Sequence, residues 1–162
     1  MTLWALVVLV SIISVVFMSY WGAGVILHPP NMSSLTAFPE MFGLPNERVQ
    51  FQTRDGLLLK GWWIPAEDSS ERRTLIMCHG WGDNKGELLR DTFFLHDAGF
   101  NLLYFDMRSH GDSEGEITTV GYLETIDFEA ALRYLKESKP DCAERLGVFG
   151  FSMGAAVASM SI

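Results

Sequence analysis

The feature that most constrains the fold is a unit used three times: a short apolar run followed by a glycine-containing loop. The runs are Thr74–Cys78, Asn101–Phe105 and Leu146–Phe149. The loops are His79-Gly80-Trp81-Gly82, Asp106-Met107-Arg108-Ser109-His110-Gly111 and Gly150-Phe151-Ser152-Met153-Gly154. Short apolar runs bounded by turn signals suit strands buried on both faces. Helical segments separate them. Glu87–Ala98 stops at Gly99, and Val120–Lys136 carries a stripe at Val120, Leu123, Ile126, Ala130, Ala131, Tyr134 and Leu135, with Pro140 beyond its end. Upstream, Val49 and Phe51 alternate with Arg48, Gln50 and Gln52 in Glu47–Thr53. Arg54-Asp55-Gly56 then signals a turn into Leu57–Ile64, which makes a hairpin. A hairpin followed by strand-helix-strand-helix-strand predicts an α/β sheet whose later strands are parallel. In such sheets ligands bind at the carboxyl ends of the strands, where all three loops fall.

Charge divides the chain. Residues 1–39 hold no Asp, Glu, Lys or Arg, so the net charge of −8 belongs to the remainder. An acidic domain lacks the basic face that a nucleic-acid partner needs. The two cysteines, Cys78 and Cys142, make no disulfide framework, and Cys78 in its apolar run reads as a small buried hydrophobe. The four scattered histidines (His28, His79, His96, His110) show no metal-ligand spacing, and no metal or cofactor is expected.

Leu3–Leu27 is charge-free and as a helix would span roughly 37 Å, enough to cross a bilayer with some tilt. Trp4 near one end and Tyr20 and Trp21 near the other are placed about 24 Å apart, like interfacial belts. Residues 1–27 are therefore read as an uncleaved membrane anchor. Two alternatives compete: a signal peptide cut near Gly22-Ala23-Gly24, which would leave a secreted protein, and a buried core helix. The first lacks a basic start and the second is usually amphipathic. Residues 28–46 hold four prolines and read as a linker, and residues 47–162 as the α/β domain.

Gly150-Phe151-Ser152-Met153-Gly154 is a G-x-S-x-G motif, and it stands where the motif's chemistry requires, between an apolar strand and a small, helix-favouring stretch. A serine hydroxyl is a weak nucleophile that must be exposed and activated. A sharp strand-to-helix turn exposes it, with Gly150 and Gly154 removing side chains that would collide. The same turn aims the Met153 N–H at a developing oxyanion. A second donor is expected from the loop after Thr74–Cys78, at Trp81. Trp62 and Trp63 are either pocket lining or, more commonly for aromatics on a sheet, core.

From about Glu47 onward the chain resembles the first half of an α/β-hydrolase, in the serine-aminopeptidase-like or monoacylglycerol-lipase-like branch. The resemblance rests on His79-Gly80-Trp81-Gly82, on the run from Phe105 to Ser113, and on the Gly150–Gly154 elbow, in that order and spacing. It implies Ser152 as nucleophile, Trp81 and Met153 as oxyanion donors, and a small-molecule acyl substrate. It implies supporting roles for Asp106, Arg108 and Gly111 beside the site and for His79 and Gly80 in the oxyanion loop. His110 is weighed as a substitute base, against the family order of Ser, then acid, then His. The family's acid and histidine follow later strands and have no counterpart here. The chain is therefore expected to be the N-terminal portion of a membrane-anchored serine hydrolase, poorly active alone. The alternative is a non-catalytic, membrane-tethered module or pseudo-enzyme.

Overall fold

The computed structural model describes residues 2–29, 34–68 and 70–161; residue 1 of the expected anchor, residues 30–33 of the expected linker and residues 69 and 162 of the expected domain lie outside them. The order is α1 (Leu3–Leu27), β1 (Glu47–Gln52), β2 (Leu58–Ile64), β3 (Arg73–Cys78), α2 (Lys85–Thr92), α3 (Phe94–Asp97), β4 (Asn101–Phe105), α4 (Glu124–Ser138), β5 (Arg145–Gly150) and α5 (Met153–Ser161). The described strands form one sheet in the order β1-β2-β4-β3-β5. β1 and β2 make the expected hairpin, with Phe51 opposite Leu59. β2 runs antiparallel to β4, and β3 runs parallel to both β4 and β5. A parallel pair needs a crossover, which α2 and α3 supply between β3 and β4, and α4 between β4 and β5. This mixed five-stranded α/β sheet is the fold class expected from the sequence.

Side-chain alternation gives the sheet two cores. Phe51, Trp63, Ile76, Leu103, Phe105 and Met107 pack with Phe128, Ala131 and Leu135 of α4 and with Met153 and Val157 of α5. Trp62, Ile64, Met77, Leu102 and Tyr104 face the other way, onto Leu88 and Leu89 of α2. Trp62 and Trp63 thus serve opposite cores, as adjacent strand residues must. Each fully buried side chain of this size contributes about 1.5–3 kcal/mol relative to exposure. Part of the segment read as a linker joins the second core: Leu44 is buried in it, and Leu35, Phe38 and Phe42 pack against it.

Both expected crossover helices shift at their ends. The first begins at Lys85 instead of Glu87, because Asn84 caps it by accepting from the Gly86 and Glu87 N–H groups. It also breaks at Phe93 into two pieces. The second begins at Glu124 instead of Val120, because Val120 has φ +53° and the Glu124 carboxylate draws the Thr119 and Gly121 N–H groups back onto itself.

α1 buries no residue and is long and apolar enough to cross a membrane. The Ser11 and Ser14 hydroxyls donate to the carbonyls of Val7 and Val10, so neither is left unsatisfied on an apolar surface.

Candidate active site

β5 ends at Gly150 and α5 begins at Met153, leaving two residues to reverse the chain. Ser152 absorbs the reversal with φ +50°, a left-handed conformation that is costly for a residue with a Cβ. The turn works only with glycine on either side. A Cβ on Gly154 would collide with the Cys78 carbonyl at the end of β3, and one on Gly150 would stand 2.6 Å from the backbone of Gly154. The Phe151 N–H donates to the Cys78 carbonyl at 3.0 Å and ties the turn to β3. Ser152 is exposed, and its hydroxyl has no hydrogen-bond partner among the described residues.

The loop after β3 comes up beside this serine. A Cβ built on Gly80 would lie 3.6 Å from the Ser152 Cβ. Met153 is the first residue of α5, so its N–H has no intrahelical acceptor, and the Trp81 N–H is likewise unpaired among the described residues. The two expected oxyanion donors are therefore free backbone groups on the two loops that flank Ser152.

Both histidines near the site are bound at both ring nitrogens. His79 Nδ1 donates to the Gly80 carbonyl (2.7 Å), and its Nε2 accepts from the Met107 N–H (3.0 Å). His110 Nδ1 donates to the Arg108 carbonyl (2.7 Å), and its Nε2 accepts from the Gly82 N–H (3.1 Å). The rings lie 5.0 Å apart. Each ring is thus fixed as the neutral Nδ1–H tautomer. Burial drives the His79 pKa down to about 3 and lowers that of His110. Neither has a nitrogen left to take a proton from Ser152. This removes His110 as a substitute base and gives His79 and His110 the shared task of joining the loop after β3 to the loop after β4.

The loop after β4 is held by two buried charges. The Asp106 carboxylate accepts from the Lys85 ammonium, from the Lys85 N–H at 2.7 Å and from the Asp112 N–H at 2.9 Å. Gly111, at φ +51°, is required because a Cβ there would run into that carboxylate. Arg108 forks between Asp127 of α4 (Nη2, 2.8 Å) and Asp55 of the hairpin turn (Nη1, 2.9 Å), and its own N–H donates to Asp127 as well. The Arg108 guanidinium holds the Asp55 carboxyl below its ordinary range, while burial pushes Asp127 up to about 6. Asp106, Arg108 and Gly111 thus shape the loop. Lys85, Asp55 and Asp127 were not singled out in the sequence, because nothing local marks residues that pair across 21, 53 and 19 positions. Cys78 is buried and its thiol is pushed up to about 12, which leaves it inert at neutral pH.

The profile of the family described as Serine aminopeptidase, S33 matches residues 69–161, more than half of the sequence. The chain belongs to this family. It is 34% identical over 103 residues to YqkD of Bacillus subtilis (64% of this chain, 33% of YqkD). It is 32% identical over 123 residues to bem46 of Schizosaccharomyces pombe (74% of this chain, 40% of bem46). A structure of the esterase Pf2001 of Pyrococcus furiosus superposes with a TM-score of 0.76 at 35% identity, covering 84% of this chain and 52% of the esterase. The chain thus spans 33–40% of the length of these curated relatives. Fold and family are those of the esterase-like α/β-hydrolases.

Proposed function

We propose that Ser152 is the nucleophile of a membrane-anchored serine hydrolase that opens ester, thioester or amide bonds of a small-molecule acyl substrate. The observation that carries this reading is the exposed, left-handed Ser152, with the free N–H groups of Trp81 and Met153 on the loops beside it. In the proposed reaction Ser152 Oγ attacks the acyl carbonyl and gives up its proton. The carbonyl oxygen becomes an oxyanion facing those two N–H groups, the leaving group departs protonated, and water later releases the acyl chain from Ser152. Each oxyanion donor is worth roughly 2.7–4 kcal/mol in the transition state of such reactions. The proton acceptor in this scheme is a group other than His79 and His110, whose ring nitrogens are already engaged. The apolar α1 is proposed as the anchor.

One observation favours a second reading, a tethered non-catalytic module: no described side chain engages the Ser152 hydroxyl. A serine-directed fluorophosphonate separates the two. Applied to membranes carrying the protein expressed from its complete gene, it is expected to label the parent and not Ser152→Ala. Labelling that survives the substitution, or a parent that never labels, would remove the hydrolase reading.

A further inference from the structure

The last four carbonyls of any helix lack intrahelical partners, and a helix leaving a membrane must satisfy them at the bilayer edge. α1 ends in Val25-Ile26-Leu27-His28-Pro29, without the glycine that would fold the chain back over these groups. The α/β domain supplies partners instead. The Trp81 indole Nε1–H donates to the Ile26 carbonyl at 2.9 Å, and the Thr118 backbone N–H donates to the Leu27 carbonyl at 2.9 Å. His28 closes the Gly24 carbonyl through its own N–H and ring nitrogen, both at 3.0 Å.

The two domain residues that receive α1 are those next to the oxyanion donors. Trp81 carries one donor on its own backbone. Thr118 is buried beside the other: its hydroxyl donates to Glu124 at 2.7 Å and lies 3.7 Å from the Met153 sulfur. Three successive residues of the oxyanion loop are thus pinned from three directions. His79 bonds the Gly80 carbonyl, His110 bonds the Gly82 N–H, and Ile26 of α1 bonds the Trp81 side chain between them.

We propose that the carboxyl end of α1 is a working part of the oxyanion site, with the Trp81 indole as the positioning group that links the two. The proposal rests on reading Ser152 as the nucleophile and Trp81 and Met153 as its oxyanion donors. The helix then does more than tether the domain: its docked end sets where the Trp81 N–H points. Losing an oxyanion donor costs roughly 10²–10³ in rate. A donor displaced but retained loses less, and about tenfold is expected.

The test uses the protein from its complete gene in membranes, with p-nitrophenyl butyrate as the probe ester. Two changes undock the helix independently. Trp81→Phe removes the indole donor and keeps the backbone N–H. Exchange of residues 3–27 for an unrelated apolar helix joined through a flexible Gly/Ser segment removes the acceptor. Each is expected to lower kcat about tenfold with KM nearly unchanged, and the combination is expected to be no slower than either alone. An unchanged kcat in either variant, or losses that multiply, would overturn the proposal. If the parent itself fails to label at Ser152 with fluorophosphonate, the nucleophile reading fails separately. The docking is then read from hydrogen exchange of the Trp81 indole N–H, which is protected in the parent and exposed after helix exchange if the contact exists.

Discussion

The loop after β4 and the elbow after β5 lie at the carboxyl ends of parallel strands, with β3 between them, and they are built in opposite ways. In the first, both charged side chains at the head of the loop are buried and fully partnered: Asp106 by Lys85 and the Asp112 N–H, Arg108 by Asp127 and Asp55. In the second, Ser152 is exposed, held in a costly backbone conformation and without a side-chain partner among the described residues. The strands beneath differ too. Every residue of β4 is buried, whereas β5 is an edge among the described strands, with Phe149 37% exposed in it and Phe151 62% exposed just beyond its end. Polar groups that satisfy one another shape a site, and a polar group held strained and open is left free to meet another molecule.

The largest effect is expected at the partner of Arg108. Asp127→Ala leaves a buried guanidinium short of its main partner and is expected to destabilise the protein by about 3–5 kcal/mol, read from chemical denaturation in detergent. A loss below 1 kcal/mol would mean that the loop after β4 is not held by its ion pair. Gly154→Ala comes next. Its new Cβ meets the Cys78 carbonyl, so the elbow must shift away from β3 at a cost of about 1–3 kcal/mol, and fluorophosphonate labelling should fall with it.

Acidification probes the histidines that join the loops. The folded-state pKa of His79 is about 3 against the ordinary 6.5, so between those values the unfolded chain binds more protons than the native one. Stability contributed by neutral His79 is therefore complete above pH 6.5 and declines as the pH falls toward 3, by up to about 1.4 kcal/mol per pH unit. His79→Gln, which cannot charge, should flatten that slope in denaturation curves measured across this window. An unaltered slope would show that the ring is not buried in its neutral form.

The smallest effect has the opposite sign. Ser152→Gly relieves the left-handed strain and is expected to stabilise the protein by about 1 kcal/mol while abolishing labelling. A destabilised Ser152→Gly would place the serine with the structural residues and erase the contrast between the loops.

Much of the fold was legible because buried strands announce themselves. The runs at 74–78 and 101–105 match β3 and β4 to within a residue, and alternation in 47–53 marks β1. Helix starts were not, because they are set by side chains that reach back to the backbone: Asn84 starts α2 early and Glu124 starts α4 late. At the site, the motif and its neighbours mark Ser152, Gly80, Trp81 and Met153 as candidates, since each follows shortly after the end of a strand. The groups that hold those residues in place were silent. Asp127, Lys85, Thr118 and the Ile26 carbonyl act across long sequence separations, and in the last case through a backbone atom that carries no residue identity.

Peptide mapping by mass spectrometry after fluorophosphonate treatment reads the reacting oxygen atom directly. A single adduct is expected, on the Ser152 hydroxyl of the protein expressed from its complete gene. An adduct on any other residue with Ser152 unmodified would contradict it.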